Sequence, residues 1–217
     1  MKEIYARWIK RGLDLFLSAA AILFLLPVWI GICLAIKLDS KGPVLFRQKR
    51  VGIHQTYFYI LKFRTMRTDT PKDVPTHLLS NPDQYITRVG KFLRRTSLDE
   101  LPQIFNILKG EMSIIGPRPA LWNQQDLLTE REKYGANDVM PGLTGWAQIN
   151  GRDELEIPEK AKLDGEYVKR IGFGMDVRCF VGTIASVIRS KGVVEGGTGV
   201  MKKDSSQNEK KISIKEE

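Results

Sequence analysis

Cysteine and histidine are nearly absent, with two of each in 217 residues. Cys33 and Cys179 lie far apart and make no disulfide framework, and no metal-type Cys/His spacing surrounds them or His54 and His77. A reducing, cytosolic environment is the simplest reading. Acidic residues are also in deficit: 25 Asp and Glu stand against 34 Lys and Arg, a formal net charge of +9. That excess points to an anionic partner, either nucleic acid, an anionic membrane surface or a phosphorylated substrate. The basic residues form neither a recognition helix nor an aromatic-interleaved RNA motif, which disfavours nucleic acid. No internal repeat is present, and the length suits one core with elaborations.

Apolar residues are in excess near the N-terminus. "LDLFLSAAAILFLLPVWIGICLAI", residues 13–36, is interrupted by little more than Asp14 and Ser18, and is long enough to span a bilayer once. Two features predict a different topology. Lys2, Arg7, Lys10 and Arg11 precede the run, and Lys37, Lys41, Arg47, Lys49 and Arg50 follow it, whereas a spanning helix usually has one basic side. Pro27 lies just past the middle. It removes a backbone donor and crowds the preceding turn, so the helix is expected to bend or break there. A segment that enters and leaves on one face satisfies both.

Beyond it, "GPVLFRQKRVGIHQTYFYILKFRTMR" alternates apolar positions between turn residues and predicts a short β-hairpin. "TDTPKDVPTHLLSNPDQY" reads as a surface excursion. Helical spacing at Leu101, Ile104, Phe105 and Leu108 ends at Gly110, and further helices are expected over about 123–134, 158–168 and 176–190. "MPGLTGWAQINGRDELEIP" is turn-rich. The predicted fold class is α+β. A re-entrant helix-break-helix occupies 1–40, and a mostly helical cytosolic domain with the hairpin and interfacial amphipathic helices occupies 41–195. Residues 196–217 form a flexible polar tail.

"SLDELPQIFNILKGEMS", 97–113, places Asp99 beside Glu100 where a helix begins. Ser97 and Glu100 fit a capping box, although Pro102 sits where the first intrahelical donors would be and is itself a favoured first-turn residue. A helix N-terminus, with Arg94 and Arg95 nearby, predicts that both carboxylates are ionised. Such a carboxylate can cap, bind Mg²⁺ or attack phosphorus.

"KFRTM" at 62–66, the 97–113 stretch, "GPRP" at 116–119 and "PGLTGWAQINGR" at 141–152, in that order after a basic-flanked apolar segment, resemble the bacterial sugar transferase family over about residues 5–195. Within it, the chain is most similar to small monotopic phosphoglycosyl transferases. The resemblance implies transfer of a sugar 1-phosphate from a UDP-sugar to undecaprenyl phosphate, with Mg²⁺, at the cytoplasmic face of a bacterial membrane, as the first membrane step of capsule or other surface-glycan synthesis. It implies Asp99 as nucleophile, with Glu100 assisting it or, like Asp99, holding the metal. Lys62, Arg64, Arg94, Arg118, Gln148, Asn150, Arg152 and Asp164 are the substrate-binding candidates. Each has a plainer reading: solvated strand residues for Lys62 and Arg64, a rigid turn for Arg118, loop stabilisation for Gln148, Asn150 and Arg152, and a helix surface for Asp164. An N-acetylated UDP-hexose is favoured, with UDP-glucose and UDP-galactose open. Membrane lipids are partners; self-association and downstream glycosyltransferases are left open. The alternative is a membrane-tethered, non-catalytic member of a glycan assembly complex, which explains the anchor but not "SLDELPQ", "GPRP" and "PGLTGWAQINGR" together.

Overall fold

The computed structural model describes residues 4–70, 82–151 and 155–188. Arg152, the tail at 196–217 and the core of the excursion, 71–81, lie outside them. A π-helical turn, Tyr5–Ile9, runs into α1, Lys10–Asp39, which at 1.5 Å per residue is about 45 Å long if straight. The sequence predicts a bend or break at Pro27; the helix is not broken there, and α1 continues through it as one element. A clean break would leave up to four N–H and four C=O groups without partners, whereas proline in a continuous helix forfeits one hydrogen bond. In apolar surroundings the second cost is the smaller.

Among the described residues this is the one helix long and apolar enough to cross a membrane. Its middle exposes Leu23, Phe24, Leu26 and Ile30, an apolar surface of the kind that marks a membrane or partner contact. Both ends dock on the same domain. At the first, the Tyr5 hydroxyl and Lys10 Nζ donate to Asp176 Oδ2 at 2.9 and 2.7 Å, and Asp14 Oδ1 accepts the Ile114 N–H at 3.0 Å. At the other, Ile32 and Ile36 are buried with Phe63 and Leu93, and Trp29 meets the rings of Phe63 and Phe105 edge-on.

The hairpin is as expected. β1, Leu45–Val51, pairs antiparallel with β2, Tyr57–Phe63, from Leu45↔Phe63 to Val51↔Tyr57. Phe58 and Ile60 pack on Ile107 and Met112. Next comes α2, Arg88–Thr96, whose N-cap Thr87 accepts the Gly90 N–H. A 3₁₀ turn, Leu98–Glu100, precedes α3, Gln103–Lys109. Gly110, at φ 86°, ends α3 in the left-handed conformation that a residue without Cβ adopts most readily. Arg11 donates to the last carbonyls of α3, those of Ile107 and Leu108, where a cation meets the negative end of the helix dipole. α3 and β2 are tied by the buried Asn106. Its Oδ1 accepts the Leu61 N–H at 3.0 Å and its Nδ2 donates to the Tyr59 carbonyl at 2.8 Å, so one side chain supplies what a neighbouring strand would.

The turn-rich stretches contain a second, unexpected pairing. β3, Ser113–Ile115, runs parallel to β4, Gly142–Thr144. α4, Gln125–Glu132, precedes β4 and the one-turn α5, Trp146–Ile149, follows it. α6, Ile157–Arg170, packs Ala161 on Leu127 and Leu128 of α4. α7, Phe173–Ile188, buries Met175 and Cys179 and exposes Phe173, Val177, Phe180, Val181 and Ile184.

Candidate active site

The carboxylate pair lies in the 3₁₀ turn, and the capping box is not formed. Ser97 has φ 56° and closes α2, its N–H donating to the Arg94 and Leu93 carbonyls. An N-cap needs an extended backbone to aim its hydroxyl along the following helix, and Ser97 makes no side-chain cap hydrogen bond. A non-glycine residue in this conformation is uncommon and concentrates at functional turns. Here it turns the chain so that Asp99 and Glu100 face the end of β2.

Glu100 is held from two sides. Lys62 Nζ donates to Oε1 at 2.9 Å, and the Arg118 fork takes both oxygens, Nη1 to Oε2 at 3.2 Å and Nη2 to Oε1. Lys62 Nζ also lies 3.8 Å from Asp99 Oδ2, so one ammonium serves both carboxylates. Burial raises the Glu100 pKa, but the charges of Arg118 and Lys62 outweigh it and hold the carboxyl well below its usual range. Asp99 goes the other way. Burial pushes its pKa up, Lys62 opposes this, the Glu100 charge adds to it, and Arg94 and Arg118 pull it down without reversing it. The sequence predicts two ionised carboxylates; the structure sets them apart because Glu100 takes nearly all the direct hydrogen bonding. Opposed environments in adjacent acids are a mark of divided chemical roles.

Lys62, Arg94 and Arg118 thus surround the pair. Arg94 also donates from Nε to Thr65 Oγ1 at 2.9 Å. Arg64 is a correction. Its guanidinium is buried and spent on the C-terminal end of α1, donating to the Lys41 and Ser40 carbonyls at 2.7 Å each and to Ser40 Oγ at 2.9 Å. Arg64 lies just past the end of β2, beside the open C-terminal end of α1, whose carbonyls take the fork. Gly42, at φ 125°, leaves it room: a Cβ there would overlap Arg64 Nη1.

Asn150 is exposed and donates to the Trp146 carbonyl at the end of α5, in keeping with loop stabilisation. The Gln148 amide is buried without a hydrogen-bond partner among the described residues. Neither is hydrogen-bonded or ion-paired to Asp99 or Glu100. Asp164 is no helix-surface residue. It is buried, its Oδ2 accepts from Arg131 Nε at 2.8 Å and lies 2.7 Å from Nη2, and Nη2 donates to the Arg118 carbonyl at 2.9 Å. Arg131 is absent from the sequence-derived set because "TEREKYG" reads as a solvated helix face. The available signal is its spacing: it falls four and three residues after Leu127 and Leu128, on the buried face of α4.

A divalent cation needs oxygen donors. Among the described residues no group of three or more His, Cys, Asp or Glu is placed to hold one. Mg²⁺ commonly uses only one or two carboxylates together with substrate phosphates. Asp99 fits that pattern, whereas both Glu100 oxygens are engaged by cations.

Comparisons with known proteins identify the family. The family model described as "Bacterial sugar transferase" matches residues 5–190. The chain is 44% identical over 192 residues to an undecaprenyl-phosphate glucose phosphotransferase of Komagataeibacter xylinus, covering 84% of this chain and 36% of that protein. It is 44% identical over 179 residues to the UDP-glucose:undecaprenyl-phosphate glucose-1-phosphate transferase of Escherichia coli K12, covering 79% and 38%. It is 40% identical over 195 residues to the exopolysaccharide production protein PSS of Rhizobium leguminosarum bv. phaseoli, covering 85% and 98%. The chain therefore spans little more than a third of the first two relatives and almost all of the third. With a family match that includes the hairpin, the carboxylate turn and the Arg118 loop, the chain belongs to the bacterial sugar transferase family.

Proposed function

We propose that the chain is a phosphoglycosyl transferase that moves a sugar 1-phosphate from a UDP-sugar to undecaprenyl phosphate through an aspartyl intermediate on Asp99. The observation that carries this reading is the asymmetry of the pair. Glu100 is occupied by Lys62 and Arg118, which leaves Asp99 as the carboxylate whose charge is least satisfied, beside three cations suited to a diphosphate. An Asp99 oxygen attacks the phosphorus bonded to the sugar. The bond from that phosphorus to the UMP oxygen breaks, and UMP leaves with the electron pair. An oxygen of undecaprenyl phosphate then attacks the same phosphorus and releases the Asp99 carboxylate, giving the lipid diphosphate sugar. Lys62, Arg94 and Arg118 offset charge on the transferring group. Mg²⁺, held by Asp99 and diphosphate oxygens, would supply further charge neutralisation.

The proposed topology is monotopic, with α1 entering and leaving the cytoplasmic leaflet. Support comes from the docking of both its flanks on one domain, Tyr5 and Lys10 on Asp176 and Ile32 and Ile36 with Phe63 and Leu93, with an exposed apolar stretch between them and basic residues on both sides. The exposed apolar stripe of α7 and the exposed Trp8 and Ile9 supply the interfacial surface such an arrangement needs. The test is UMP release from a panel of UDP-glucose, UDP-galactose and N-acetylated UDP-hexoses, with Mg²⁺ and undecaprenyl phosphate. Release that requires all components supports the reading. A purified, folded protein inert toward the whole panel refutes it.

A further inference from the structure

We propose that the buried Arg131–Asp164 pair is a positioning device that sets the direction of Arg118, and through it the placement of Glu100. This rests on the functional reading above for its kinetic consequence, but not for its structural one. Residues 117–119 are Pro-Arg-Pro, a stretch with a single backbone N–H. It cannot anchor itself by donating, so it is anchored through its acceptors. The Pro117 carbonyl accepts from the Gly142 N–H at 2.9 Å, the Arg118 carbonyl from Arg131 Nη2 at 2.9 Å, and the Pro119 carbonyl from Arg50 Nη1 at 3.0 Å. The next carbonyl, that of Ala120, accepts from the Val51 N–H at 3.0 Å.

Of these donors, Arg131 holds the residue whose side chain grips Glu100. Its guanidinium is 4% exposed and Asp164 is 1% exposed at the side chain, so the planar fork cannot drift. Asp164 fixes one edge of the fork and leaves Nη2 aimed at the Arg118 carbonyl. Arg118, 30% exposed at the side chain, is the member of the Glu100 cluster most open to solvent, and it depends most on its backbone for direction. Asp164 thereby acts two side chains away from the carboxylates, without touching substrate.

The test uses the full chain in detergent and two readouts. Arg131→Lys keeps the charge but loses the fork, which cannot then satisfy Asp164 and the Arg118 carbonyl together. It should lower kcat/KM for UMP release by about 10- to 100-fold, as a small displacement of a catalytic group does, with Asp164→Asn following it. In an Arg118→Ala background the same changes should cost nothing further, because the group they orient is gone. Losses that multiply in the double variants overturn the proposal and leave the pair a packing element. The second readout needs no activity. The apparent Tm of Arg131→Lys combined with Glu100→Gln should depart from the sum of the single shifts by about 2–4 °C, and return to additivity when Arg118 is Ala. Strict additivity in both backgrounds overturns the inference even if no UDP-sugar is turned over, while an inert wild type with the expected Tm pattern overturns only the enzymatic reading.

Discussion

Replacing Asp99 by Asn and Glu100 by Gln should give opposite phenotypes, although the residues are adjacent and chemically alike. Glu100→Gln leaves Lys62 and Arg118 facing a neutral amide in a site where their side chains are 18% and 30% exposed. Removing one member of a buried ion cluster costs about 3 kcal/mol, or roughly 6–12 °C in Tm for a chain of this size. Asp99 accepts no direct hydrogen bond from Lys62, at 3.8 Å, and its pKa is raised by burial, so its charge is held at a cost. Asn removes the cost and the distant attraction together, leaving stability within about 1 kcal/mol of the parent. Activity should divide the other way. An amide has nearly the shape of the acid but cannot form the acyl phosphate, so Asp99→Asn should lose about 10⁴-fold or more in turnover. The assay is intact-protein mass spectrometry after incubation with UDP-sugar and no lipid acceptor. The parent should gain the mass of a phosphosugar on the peptide containing Asp99, removable by hydroxylamine as expected for a mixed anhydride. An active enzyme that never shows the adduct and retains turnover as Asp99→Asn would refute the reasoning, leaving direct displacement between the two substrates.

The shifted pKa of Asp99 predicts a pH profile whose sign is fixed. Its folded-state pKa is above the ordinary carboxylate value and the nucleophile is the ionised form, so adduct formation should fall as pH drops through that raised value; a rate flat down to the usual carboxylate range would contradict it. Glu100, whose pKa is lowered, contributes stability that is present above the unfolded-state value and lost as pH falls through the folded one, and urea titrations of the parent and Glu100→Gln should converge at low pH. Arg64→Ala should lower Tm by several degrees, about 1–3 kcal/mol for stranded helix-end carbonyls, with KM for the UDP-sugar unchanged; a raised KM at unaltered stability would return Arg64 to substrate binding. Cysteines placed at Arg7 and Lys41 should both label from the cytoplasmic side in spheroplasts, and Pro27→Leu should shift a fraction of molecules toward opposite-side labelling; opposite-side labelling of the parent would sink the monotopic topology.

What the sequence revealed and what it concealed divide along a physical line. Periodicity and turn residues locate the hairpin, the helix ending at Gly110 and the two C-terminal helices, because those elements bury one face of a local pattern. β3 and β4 escape such a reading. Each is three residues long, too short for alternation to register, and their pairing joins positions about thirty residues apart. The fold brings Lys62, Asp99, Glu100 and Arg118, drawn from three separate motifs, to one place. At Arg64 the guanidinium serves the protein's own backbone, and at Asp164 the carboxylate pairs with the buried Arg131, which in turn serves the backbone. Composition cannot separate these cases, because a fork that binds phosphate oxygens binds carbonyl oxygens equally well. What separates them is which acceptors the fold leaves open nearby: at Arg64 the end of α1, and at Arg131 a proline-flanked loop with almost no donors of its own. Buried arginines in this chain are therefore better predicted by locating backbone carbonyls without donors than by counting charges near the site, and Arg131, on the apolar face of α4 opposite such a loop, satisfies that criterion.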